Sequence, residues 1–159
     1  MRLILQRVKS ARVDVAGQSV ASIGPGLLLF VGFGQEDEQC PEAERLLGRM
    51  ARKVVQARLF PDHADKLNLS LADTGGQILA VSQFTLHADC RKGRRPSLHF
   101  AAKPDTAQKL FLIFVHALRT SLSEDRVQSG IFGALMDVHL HNWGPLTFFW
   151  DSQELLGAG

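Results

Sequence analysis

Arg12 to Phe33 reads RVDVAGQSVASIGPGLLLFVGF, and this stretch decides the fold. Val13, Val15 and Val20 alternate with polar residues across Ala16-Gly17-Gln18, the pattern of two strands joined by a tight hairpin turn. Gly24-Pro25-Gly26 then breaks the chain. Behind it, Leu27 to Phe33 has the unbroken apolar character of a buried strand. Upstream, Arg2 to Val8 carries aliphatic side chains at 3, 4, 5 and 8 and reads as a further strand. The chain thus opens with strands, not with a strand-helix unit.

Downstream the period changes. Pro41 suits the first position of a helix, and Glu42 and Glu44 suit the positive end of its dipole. Leu46, Leu47, Met50, Val54 and Val55 recur at three- and four-residue steps and form one apolar face. Phe60-Pro61-Asp62 ends this region, and Ala64 to Asn68 reads as loop. Gly75-Gly76 turns the chain into Gln77 to Leu86, a long buried strand. His87 to Lys103 is polar, basic and interrupted by proline, which marks a functional loop. Pro104-Asp105 opens a second helix with Leu110, Phe111, Phe114, Val115 and Leu118 on its inner side. Ala134, Met136, Val138 and Leu140 alternate as a half-buried strand. Asn142-Trp143-Gly144-Pro145 breaks it, and Leu146 to Trp150 is a last short strand.

No strand is followed by a Gly-rich phosphate loop opening a helix, so neither a Rossmann nor a P-loop reading survives. The expected class is α+β (mixed α/β). We expect an antiparallel-rich sheet or partial barrel with two main helices against it, as one domain over 1–159.

Composition narrows the function classes. The 159 residues are 45% hydrophobic and 21% charged, the balance of a globular protein able to bury its own core. No apolar run approaches the ~20 residues of a membrane span. Met1 to Arg7 meets a polar residue too soon for a secretory signal. A cytoplasmic protein without a membrane partner is expected. Cys40 and Cys90 stand far apart, which builds neither a zinc ribbon nor a disulfide framework. The net charge of +2 does not by itself mark a nucleic-acid binder. Its distribution says more: Arg91, Lys92, Arg94 and Arg95 put four cations in five residues.

Two stretches could carry chemistry. Ser82-Gln83-Phe84-Thr85-Leu86 places polar side chains at the end of an apolar strand. Burying them unbonded costs on the order of 1–3 kcal/mol each, so they bond neighbouring backbone or line a ligand site. If the strand continues, alternation puts Ser82, Phe84 and Leu86 on one face and Gln83 and Thr85 on the other. Asn142-Trp143-Gly144-Pro145-Leu146-Thr147 is either a turn or a ligand-facing loop whose glycine admits close backbone approach. His139 and His141 share a strand face but have no third ligand nearby, so no metal is assigned. Asp73, Asp89 and Asp137 have no partner carboxylate.

Together these pieces resemble the D-aminoacyl-tRNA deacylases over nearly the whole chain. The resemblance runs through Leu5-Gln6-Arg7-Val8, Ile23 to Leu28, Asn68-Leu69-Ser70 and Gly75-Gly76. It is strongest at Ser82 to Leu86, Arg91 to Ser97 and Gly130-Ile131-Phe132-Gly133-Ala134, and the Gly144-Pro145 loop closes it. It implies a hydrolase of the ester joining a D-amino acid, or glycine, to the terminal ribose of tRNA, with no cofactor. It implies a homodimer with active sites at the interface, each Gly144-Pro145 loop, with a cis bond, reaching the other subunit's site and excluding L-substrates by geometry.

Carried over residue by residue, Ser82, Gln83, Phe84 and Thr85 form the catalytic site, with the Phe84 backbone N–H facing the ester carbonyl. Gly144, Pro145, Asn142 and Arg7 belong to substrate binding, Arg7 holding the loop. Arg91, Lys92, Arg94 and Arg95 are expected to grip the acceptor end of aminoacyl-tRNA. Thr85 as nucleophile would need an adjacent base, and none accompanies it in the strand. The family's alternative is assistance by the ribose 2′-hydroxyl. The chain departs from the family pattern at three places: Trp143 stands where a small or polar residue, commonly Asp, is usual, His87 stands where a Tyr or similar residue often follows, and the stretch Phe148-Phe149-Trp150 is bulkier than expected. Two other readings remain, an editing deacylase with relaxed chirality and a non-catalytic nucleic-acid binder on the same scaffold.

Overall fold

The structure, a computed structural model, describes residues 1–157, so the last two residues of the expected 1–159 domain lie outside the described residues. In chain order the elements are β1 (Arg2–Val15), β2 (Gln18–Ile23), β3 (Gly26–Gly32), α1 (Gln35–Glu38) and α2 (Ala43–Gln56). There follow β4 (Phe60–Pro61), β5 (Leu67–Leu69), α3 (Leu71–Thr74), β6 (Gln77–Ser82) and a 3-10 turn (Phe84–His87). The chain ends with α4 (Pro104–Ser121), a second 3-10 turn (Glu124–Arg126), β7 (Val127–Ser129), β8 (Asp137–Asp151) and α5 (Ser152–Leu156).

The opening hairpin forms because Ala16 (φ 50°) and Gly17 (φ 77°) both take positive φ, the turn that matches strand twist. β1 is the spine of the sheet. Its first half pairs antiparallel with β3 and its second half with β2, while β8 runs antiparallel along its opposite edge. β3 pairs parallel with β6, and β6 parallel with β7. β2 comes back against β6 and β7, so the sheet nearly closes.

Period-2 alternation divides the core. Leu27, Leu29, Val31, Ile78 and Ala80 face the helices, whereas Leu28, Leu79 and Val81 join Val8, Val13 and Ile23 inside the sheet's curve. α2 and α4 lie over the first face with Leu47, Met50, Val54, Phe111, Phe114 and Leu118 buried. The α+β class and its two main helices stand as read from the sequence.

Several boundaries differ. The strand expected over Gln77–Leu86 ends at Ser82, because β3 ends at Gly32 and offers nothing further to pair with. The Gln83 N–H makes the last ladder-like bond, to Val31 O at 2.7 Å, and the chain then coils into the 3-10 turn. The two-face alternation expected for residues 82–86 therefore does not apply. The helix expected from Pro41 starts at Ala43 behind the one-turn α1. Part of the Ala64–Asn68 loop is strand, as β5 pairs with β4, and β7 is three residues long, too short to show a period in the sequence. The two strands expected around Asn142–Pro145 are one long strand, β8, interrupted by a bulge. Gln6 pairs with Thr147 and Val8 with Asn142, which leaves residues 143–146 opposite Arg7 alone.

Candidate active site

The turn after β6 stands at the mouth of a cavity of about 270 Å³. Ser82, Gln83 and Phe84 form one side, Val31, Phe33, Ala102 and Ala107 the apolar wall, and Phe132, Gly133, Ala134 and Met136 the other side. The Phe132–Ala134 segment arrives there because Gly130 N–H bonds to Ala80 O (2.9 Å), which docks it beside the end of β6. Phe84 is 55% exposed although it is aromatic. The turn closes through Leu86 N–H to Gln83 O and Ala88 N–H to Thr85 O. As the first residues of the turn, Phe84 and Thr85 have backbone N–H groups with no acceptor inside it. Gln83 Nε2 donates to Thr85 Oγ1. Neither atom of an amide is a base, so nothing among the described residues bonded to Thr85 could activate it as a nucleophile.

The turn is braced from below. Arg2 Nη1 donates to Leu86 O (2.9 Å), and Arg2 Nε pairs with Asp151 (3.1 Å). Gly32 leaves room for it: a Cβ there would stand 2.7 Å from Gln83 O and 3.0 Å from Leu86 Cβ. His87 ends the turn with 2% exposure. Burial pushes its pKa below the usual imidazole value, Arg2 adding to the effect and Glu36 opposing it. Glu36, Asp37 and His87 bring possible ligand atoms within 4.8 Å of one another. The Asp37 carboxylate is already engaged, however, by the Met1 amino group (2.6 Å) and Gly34 N–H (2.8 Å).

Gly144 and Pro145 lie elsewhere. Their bond is cis, and both residues are exposed on the bulge of β8. Asn142 clasps the bulge: its Oδ1 accepts from Leu146 N–H (2.9 Å) and its Nδ2 donates to Thr147 Oγ1 (3.1 Å). Gln6 Nε2 donates to the same hydroxyl (3.2 Å). Arg7 is 8% exposed and reaches from β1 beneath the bulge. Its Nη1 donates to Leu59 O (2.8 Å), its Nε donates to Trp143 O (3.0 Å), and its guanidinium lies 4.5 Å from the Trp143 ring centre. Burial lowers its pKa. Arg7 is opposite Leu27 and Ser82 is opposite Val31, so along β3 the two regions are four residues apart, roughly 13 Å. The structure brings Ser82, Gln83 and Phe84 together at the cavity. It groups Arg7, Asn142, Gly144 and Pro145 away from it.

The basic loop is exposed throughout residues 91–95. Arg91 is tied to Asp89 by two bonds of 2.8 Å, which with the Arg91 backbone N–H hold the Asp89 carboxyl down at about 2. Lys92, Arg94 and Arg95 thus carry the available charge. Arg2, Gly32 and the apolar wall from Phe33, Ala102 and Ala107 were not foreseen, since nothing in their local sequence distinguishes them. Phe132–Ala134 could have been inferred from the Gly130–Ala134 stretch. Across β3, β1 and β8 a partly exposed apolar row, Phe30, Ile4 and Phe149, crosses the face of the sheet opposite the helices, with Phe149 56% exposed.

The D-Tyr-tRNA(Tyr) deacylase family matches residues 4–151. The D-aminoacyl-tRNA deacylase of Solidesulfovibrio magneticus is 52% identical over 158 residues, covering 99% of each chain. That of Nitratidesulfovibrio vulgaris is 50% identical over 155 residues, 98% of this chain and 95% of the other. Among solved structures, the c-Myc DNA Unwinding Element Binding Protein superposes with a TM-score of 0.86 at 35% identity, over 95% of this chain and 98% of the other. A probable eukaryotic D-amino acid tRNA deacylase gives 0.83 at 20% identity over 94% and 97%, a likeness of fold.

Proposed function

The chain belongs to the D-Tyr-tRNA(Tyr) deacylase family and is a D-aminoacyl-tRNA deacylase, a hydrolase; on that premise we propose how its residues divide the work. It acts as a homodimer. Each subunit supplies the turn and cavity of one site, and the Gly144–Pro145 loop of the other subunit completes it. The ester carbonyl points its oxygen at the free N–H groups of Phe84 and Thr85. Water adds to the carbonyl carbon, and the resulting oxyanion is held by these two donors, a contribution of ~3 kcal/mol. Collapse breaks the bond to the ribose oxygen, which leaves with a proton. The neighbouring 2′-hydroxyl assists, and Ser82, Gln83 and Thr85 position the adenosine and the ester rather than attack it.

Chirality follows from the second half-site. Backbone carbonyls of the loop occupy the volume an L side chain needs, whereas a D side chain points away. Glycine, having no side chain, is admitted, so glycyl-tRNA formed on the wrong tRNA is also a substrate. Lys92, Arg94 and Arg95 grip acceptor-end phosphates, giving salt-dependent, sequence-poor affinity. Arg91, held by Asp89, contributes less.

One observation carries this reading: turn and loop are each fully formed in one chain and yet stand roughly 13 Å apart along β3. The free edge of β8 and the Phe30–Ile4–Phe149 row offer the surface on which a second copy would bring them together. The test is hydrolysis of matched D- and L-tyrosyl-tRNA by the purified protein, with and without a chelator. Rapid loss of the D-ester alone, unchanged by the chelator, is expected. Loss of both esters would instead support an editing deacylase of relaxed chirality, and loss of neither a nucleic-acid-binding role.

A further inference from the structure

Trp143 is the unexplained residue of the bulge. It is a large side chain on a segment whose neighbours, Gly144 and Pro145, are exposed, and yet it is half-buried and packs against the main core. Its indole lies over the Arg7 guanidinium at 4.5 Å, and its own carbonyl accepts from Arg7 Nε at 3.0 Å. Arg7 in turn is anchored by Leu59 O, on the connection behind α2. A Cβ at Gly144 would stand 3.1 Å from Arg7 Nη2, so the guanidinium also touches the residue before Pro145. Among the described residues no carboxylate pairs with Arg7, and its partners are carbonyls and the indole. A buried cation without an anion depends strongly on such partners, and a desolvated cation–π contact is at the strong end of its range.

We propose that Trp143 is a positioning residue: by clamping Arg7 between its ring and its carbonyl, it sets the direction in which the Gly144–Pro145 loop is presented. The stringency against L-esters then depends on a side chain that touches no substrate. The inference rests on the reading of that loop as the selector. The indole also lines a cavity of about 210 Å³ together with Pro25, Phe60, Pro61, Thr74 and Gly76.

The test compares Trp143→Phe, which keeps a ring, with Trp143→Leu, which keeps apolar bulk and loses the ring, and with Arg7→Met. For each, kcat/KM on D- and L-tyrosyl-tRNA is measured. Trp143→Leu and Arg7→Met should each lower the D-to-L ratio about tenfold, mostly by admitting the L-ester, while Trp143→Phe stays within about threefold of the parent. The double variant should be no worse than either single one, since both remove the same contact. A second arm reads the contact without activity. In a Trp150→Phe background, Arg7→Met should increase acrylamide quenching of Trp143 fluorescence.

A Trp143→Leu chain as selective as Trp143→Phe, or additive losses in the double variant, would overturn the clamp. If Arg7→Met leaves the ratio intact while the parent discriminates, the loop is not positioned through Arg7 and the proposal falls. A parent chain that hydrolyses both esters equally refutes the selector reading itself. Quenching that does not respond to Arg7→Met refutes the clamp independently of that reading.

Discussion

The turn at residues 82–87 and the bulge at 143–146 are both short breaks in strand pairing, and they are built in opposite ways. The turn lies where a parallel ladder runs out, with Phe132–Ala134 across the cavity from it and Arg2 and Gly32 bracing it. The bulge lies in the middle of a strand on the free edge of the sheet, held by Asn142, Gln6 and Arg7 but facing outward. One lines a cavity. The other is an outward projection. Both are formed within a single chain and yet stand roughly 13 Å apart along β3, and that difference is why we propose that each half works with a partner copy.

The most drastic way to break this comparison is to keep the copies apart. Phe149→Glu puts a charge on the exposed apolar row without touching the turn or the bulge. We expect a folded monomer by light scattering and circular dichroism that has lost deacylation of D-tyrosyl-tRNA. A monomer as active as the parent would mean that the two regions work separately. A sharper cut touches the turn alone. In Gly32→Ala the new methyl group lies 2.7 Å from Gln83 O, and displacing that carbonyl re-aims the Phe84 and Thr85 N–H groups. Because misplacement of about 1 Å can cost 10²-fold, kcat should fall by about that much, with overpacking costing roughly 1–3 kcal/mol of stability. An unchanged kcat would remove the turn from the chemistry.

The smallest expected effect is on pH dependence. Burial holds the His87 pKa below its ordinary value, so between the unfolded value near 6.5 and the lower folded one the unfolded chain binds more protons. Stability should therefore fall as pH drops through about 6.5 and level off below the folded pKa. His87→Leu should flatten that part of the Tm–pH curve, a difference of roughly a few degrees. The bulge contains no comparable group, so Trp143→Phe should leave the curve's shape as in the parent. If His87→Leu does not alter the slope, His87 is not buried in neutral form at the end of the turn.

What the sequence alone determined was whatever a short window of residues enforces. The Ala16-Gly17 hairpin, the Gly24-Pro25-Gly26 break, the Pro104 helix start and the buried faces of α2 and α4 are local matters of φ preference and side-chain period, and each lies where the residues indicate. The polar residues at 82–85 and the Gly-Pro pair were also legible as oddities, because a polar group at an apolar position needs no fold to be conspicuous. Only the tertiary structure decided what those oddities do. β6 stops at Ser82 because β3, distant in sequence, ends at Gly32. Residues 143–146 bulge because Arg7 alone stands opposite them. The cavity has a far wall because Gly130 bonds to Ala80. Each depends on where another strand ends or how two strands register, and such pairings are set by the packing of the whole sheet, beyond the reach of any local pattern.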